Sequence, residues 1–120
     1  MIKIVNGYKD GFIGENKLYI GRYNHKIKLK TSPLSNPYFI SKVMKRDEAI
    51  ALYKRFIWQS IKRCRDEGIV DGIMQELTRI AELDNVELVC YCKPLPCHGD
   101  IVINAINWLN TQKWFLDHLF

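Results

Sequence analysis

Residues 86–92 read "VELVCYC", a nearly unbroken apolar run with a single acid, Glu87. A strand half open to water alternates apolar and polar side chains. One buried on both faces, as in the middle of a parallel sheet, does not. The run therefore argues for a central strand, and the other elements arrange around it. "IKIVNG" is a short strand stopped by Gly7, residues 8–16 are a loop, and "KLYIGR" holds a second strand, Leu18 to Ile20, ending at Gly21. "NHKIKLK" alternates apolar and basic residues and reads as an exposed or edge strand with Ile27 and Leu29 inward. "TSPLSNPY" is a loop, because Pro33 and Pro37 hold Ser32 and Asn36 extended.

Helical periodicity begins after this loop. Ala49, Ile50, Tyr53, Phe56, Ile57, Ile61 and Cys64 recur at three- and four-residue steps, with Asp47 as the expected cap and Gly68 as the stop. A second helix runs from Asp71, with Ile73, Leu77, Ile80 and Ala81 on one face, to Asp84 and Asn85. A third starts near His98 and carries Val102, Ala105, Ile106 and Leu109 inward. The order predicts a small α/β single domain over residues 1–120, with a central, mixed but mainly parallel sheet flanked by about three helices.

At 120 residues, 48% of them hydrophobic, the chain can bury one core unaided. The opening "MIKIVNGYKDG" lacks the form of a signal peptide, and no run approaches the ~18 apolar residues of a membrane span. The expectation is a soluble, cytoplasmic protein with no membrane partner. The net charge of +5 favours an anionic partner or serves solubility. The excess lies early: residues 1–46 hold ten of the eighteen Lys and Arg and only two acids, Asp10 and Glu15.

Three of the four cysteines crowd "VCYCKPLPCHGD", residues 89–100. Such crowding does not resemble a secreted disulfide framework and suits metal binding, catalysis or unpaired thiols in a reducing compartment. The loop leaves the carboxyl end of the predicted central strand, where ligands sit in α/β sheets. Three chemical readings stand open beside a purely structural strand-to-helix turn. A zinc site would draw on Cys92, Cys97 and His98, with Cys90 as a further donor, although no C-x-x-C pair is present. A reactive thiol, Cys97 at a helix start beside His98, could act as a nucleophile or pair reversibly with Cys92. An anion site would use the free N–H groups of the helix start.

The stretch "LVCYCKPLPCHGDIV" resembles the signature of the domain-of-unknown-function family numbered 4326, found in bacteria and their phages, in which a strand ends in C-[aromatic]-C-x-P-x-x-C-H-G and runs into a helix. "LYIGR", "SPLSNPY" and "RDEAIALYKRFIW" resemble its other blocks in order, so the likeness spans roughly residues 2–109 and leaves 110–120 as an apolar extension that docks on the domain or supports a dimer. Matching positions are Tyr19, Gly21, Arg22, Ser32, Pro33, Asn36, Pro37, Cys90, Cys92, Pro94, Cys97, His98 and Gly99. Tyr91 stands where Trp is usual, and Ser35 where Gly tends to precede Asn-Pro. The resemblance implies no activity.

Together these readings lead to the expectation of a protein that binds a nucleotide or related phosphorylated metabolite at the Cys-His loop, with processing there left open. Cys97, His98 and Cys92 form the expected catalytic set; Arg22, Ser32, Asn36, Gly99 and Asp100 the ligand contacts; no metal is essential. The alternatives are a non-enzymatic phage-type protein that binds nucleic acid or a host protein through its basic first third, and a zinc-stapled loop with function elsewhere.

Overall fold

The structure is a computed structural model that describes residues 1–26, 28–91 and 95–118. Expectations placed on Ile27, Cys92, Pro94, Leu119 and Phe120 lie outside the described residues. In chain order the elements are β1 (Ile2–Asn6), α1 (Gly7–Asp10), β2 (Lys17–Tyr19), α2 (Arg46–Glu67), α3 (Gly72–Ala81), β3 (Val86–Cys90), α4 (His98–Leu109) and α5 (Lys113–His118).

The apolar run at residues 86–90 is the middle strand: the sheet order is β1-β3-β2, and both pairings are parallel. Among the described residues the sheet is parallel throughout. The exposed or edge strand expected from "NHKIKLK" does not form: Lys28 adopts a left-handed φ of 54°, and one isolated bridge joins Asn24 and Leu29. Register explains the two faces. Ile4, Leu88 and Leu18 align across the strands and pack into the core with residues of α2, α3 and α4. On the opposite face one row is charged, with Glu87 between Lys3 at 3.5 Å and Lys17 at 3.8 Å. The next row aligns Val5, Val89 and Tyr19, and Val89 is fully buried.

Helix α2 begins without a side-chain cap, at Lys45. Asp47, the cap expected from sequence, lies one residue into the helix, where its carboxylate accepts the Glu48 N–H at 3.0 Å. Gly68 closes the helix with φ 71°, the left-handed conformation that a glycine adopts without strain. Asp71 does cap α3, accepting the Met74 N–H at 2.9 Å, the Ser60 hydroxyl and Arg63 Nη2 at 3.0 Å. The C-terminal extension docks on the domain: Phe115 is fully buried and Trp114 packs against the core.

Candidate functional site

All three strands end on the same side, and the segments that leave β2 and β3 there frame a cleft of about 210 Å³. The side chains at its floor follow from how α4 starts. Cys97 is the residue before the first helical turn; its backbone is extended and its sulfur accepts the Gly99 N–H at 3.4 Å. Asp100 answers with its carboxylate on the Cys97 N–H at 3.2 Å. This is a capping box with a thiol where a hydroxyl is usual.

His98 is buried beside it, and its tautomer follows from its partners. The Ile20 carbonyl can only accept, so Nε2, 2.8 Å away, carries the proton. Nδ1 is thereby turned toward Cys97 Sγ at 3.6 Å. On its other side Cys97 Sγ lies 3.1 Å from Cys90 Sγ, so the sulfur at the helix start sits between a second thiol and an imidazole. The edge of Tyr53 packs on the imidazole, with ring centroids 5.1 Å apart, and its hydroxyl donates to the Leu34 carbonyl at 2.6 Å. Burial, and then the nearby Cys97, push the Tyr53 phenol far above its ordinary range, so it stays a neutral donor.

The opposite wall comes from the loop after β2. Arg22 Nε donates to the Asn36 carbonyl at 2.8 Å and Nη2 to the Tyr38 carbonyl at 3.2 Å, while the guanidinium lies 3.8 Å from the centre of the Phe39 ring. Asn36 forms an Asx turn, its side-chain oxygen accepting the Tyr38 N–H at 2.8 Å. Ser32 closes a turn in the same way on the Leu34 N–H, at 3.0 Å.

Of the residues expected at a site, Arg22, Asn36, Cys97 and His98 therefore line one cleft. Ser32, Gly99 and Asp100 do not line it. Ser32 shapes a turn, Asp100 completes the cap, and Gly99 lets α4 approach the sheet, since a Cβ there would meet Ile4 Cδ1 at 2.9 Å. Cys92 lies outside the described residues, and with it the zinc set of Cys92, Cys97 and His98. Among the described residues no group of three or more His, Cys, Asp or Glu is placed to hold a metal.

The sequence reading missed Arg46 and Phe39. Arg46 opens α2, reaches across the cleft and donates from Nη1 to the Pro96 carbonyl at 3.1 Å. Phe39, 64% exposed, stands at the mouth. Tyr91 lines the cleft too and joins it to an aromatic cluster of Tyr8, Phe12 and Tyr19; the Tyr19 and Tyr91 hydroxyls are 2.6 Å apart. Burial, followed by the bond to Tyr91, raises the Tyr19 phenol well above its usual range.

A parallel α/β sheet with a thiol, an imidazole and two arginines gathered beyond its carboxyl edge defines the class. The chain belongs to the family described as Domain of unknown function (DUF4326), whose model matches residues 6–108. It is similar to the "Uncharacterized 12.4 kDa protein in nrdA-td intergenic region" of Enterobacteria phage T4, at 31% identity over 74 residues. That alignment covers 62% of this chain and 60% of the phage protein, less than two thirds of either. No solved structure matches. Among the described residues, no helix is long and apolar enough to cross a membrane.

Proposed function

We propose that the protein binds and processes a nucleotide or related phosphorylated metabolite in this cleft. The observation that carries the reading is the make-up of the walls. Arg22 and Arg46 line the cleft together with exposed aromatic rings, Phe39 and Tyr91, and among the described residues no carboxylate does. Arginine suits a phosphate through its planar fork of donors, and an aromatic face suits a base. Arg46 spends Nη1 on Pro96 and keeps its remaining N–H groups for an anion, whereas Arg22 spends Nε and Nη2 on the loop and acts chiefly to hold the wall. Asn36 is bound up in its own turn and contributes shape.

On the floor, Cys97 is the nucleophile and His98 Nδ1 takes or returns its proton; no step needs a metal. The reading sets the protein in the cytoplasm of a bacterial or phage-infected cell, where thiols stay reduced. A thermal-shift series against nucleotides, nucleosides and inorganic phosphate tests it. A ligand at a hundred times its Kd adds about 2.7 kcal/mol, several degrees of Tm for a domain of this size. Arg46→Ala should lose that shift, and Cys97→Ser should retain it while losing turnover. A flat series across all nucleotides sinks the proposal.

A second reading, nucleic-acid binding by the basic first third, draws on Tyr8 and Tyr23, 66% and 64% exposed, which interleave with exposed lysines. It requires an affinity that falls as a steep power of salt concentration. Salt-insensitive binding to an oligonucleotide would exclude it.

A further inference from the structure

Cys90 ends β3 and Cys97 caps α4, and their sulfurs lie 3.1 Å apart on the floor of the cleft. Both are buried, at 2% and 1% exposure, so only a small reagent entering through the cleft can reach them. A covalent bond between them needs about 1 Å of further approach. The groups that stabilise a thiolate gather on Cys97: the Gly99 N–H, the start of a twelve-residue helix, and His98 Nδ1.

We propose that Cys90 and Cys97 form a redox-active dithiol, closed to a disulfide by a small hydroperoxide, with Cys97 attacking and Cys90 resolving. The Cys97 proton passes to His98 Nδ1. The thiolate attacks one peroxide oxygen and the O–O bond breaks; the departing oxygen takes the proton from Nδ1 and leaves as an alcohol or water. Cys97 is now a sulfenic acid. Cys90 sulfur attacks it, the S–S bond forms, the S–O bond breaks, and hydroxide leaves with the Cys90 proton as water. Two sulfurs have given the two electrons that reduced the peroxide, and an external dithiol reductant restores the pair. The proposal stands apart from nucleotide binding.

Cys64 provides an internal control. It is buried in the core between α2 and its neighbours, and burial, then the charge of Asp71, push its thiol up. The experiment treats the reduced full-length chain with hydrogen peroxide, alkylates what remains and weighs the protein. Two of the four thiols should disappear with a loss of two hydrogen masses, reversed by dithiothreitol, while Cys64 is alkylated in full. Chymotryptic cleavage after Tyr91 should leave two peptides joined through Cys90 and Cys97. Cys92→Ser should still close, and Cys90→Ser should stop at a dimedone-reactive Cys97. A cross-link to Cys92, oxidation of Cys64 at the same rate, or no thiol loss at all overturns the proposal. Fragmentation of the wild-type linked peptide, which carries Cys92 beside Cys97, shows which of the two bears the alkyl group and decides even where a variant does not fold.

Discussion

Gly21, on the wall of the cleft, has no room for a side chain. A Cβ built there would lie 2.3 Å from the Tyr19 hydroxyl oxygen and 2.5 Å from Cζ of the same ring. The ring cannot swing away cheaply, because its hydroxyl is held between the Arg22 carbonyl and the Tyr91 hydroxyl. Gly21→Ala should therefore destabilise the protein by about 1–3 kcal/mol in urea denaturation, the usual cost of overpacking. Gly68→Ala meets no atom within 4 Å and costs only its left-handed backbone, about 1 kcal/mol. The site residues were partly legible at this scale. Cys97 and His98 announce themselves by chemistry in a short loop, whereas Arg46 meets Pro96 fifty positions away, and nothing local to Arg46 distinguishes it from any other helix-surface arginine.

Caps decide where the elements begin, and two of them yield opposite expectations. At α4 the cap is a thiol, for which a hydroxyl is a better acceptor. Cys97→Ser should therefore keep or slightly raise Tm while removing the sulfur, which makes it the clean variant for chemistry. Asp100→Ala removes the reciprocal half of the box and should cost about 1 kcal/mol. At α3, burial of Asp71 acts to raise its carboxyl, but the bonds from Ser60 and Met74 and the charge of Arg63 outweigh it and hold the group below its ordinary value. A depressed carboxyl binds its proton less readily in the folded chain than in the unfolded one. Its contribution is complete above the ordinary carboxylate range and disappears as pH falls through the depressed value. Asp71→Asn should flatten that acid limb in a Tm-against-pH series and leave the rest of the curve parallel to wild type. Elements whose signal is burial were legible in the sequence, β3 above all. The segment 24–30 was not: its alternation fits a strand, but a left-handed Lys28 turns the chain back. The start of α2 escaped for a similar reason, since Asp47 looks like a cap and Lys45 does not.

Charge acts over the whole molecule. The excess of basic residues in the first third is not all available to a partner, because Lys3 and Lys17 flank Glu87 on the sheet face opposite the one that packs on α2, α3 and α4. Among the described residues, Arg22 and Arg46 meet only backbone carbonyls and an aromatic ring. A mononucleotide held by Arg46, with the charge of Arg22 in the wall behind it, should bind several-fold more weakly as sodium chloride rises from about 0.05 to about 0.5 M, as screening of a few close charges requires. A collapse by orders of magnitude would instead indicate a polyanion. Titration by fluorescence of the cleft aromatics would measure the difference.

The strand order also governs how the chain folds as it is made. β1 and β2 never pair with each other; each waits for β3, and Ile2 meets Val86 eighty-four positions later. At about 5–20 residues per second, a ribosome leaves the first two strands without a partner for several seconds. Every sheet contact is of long range, which places the folding rate toward the slow end for a chain of this size. The same residues that finish the sheet also carry Cys90 and lead to Cys97. The cleft and the sheet must then be born in one late event, and a nascent chain interrupted before residue 86 has neither.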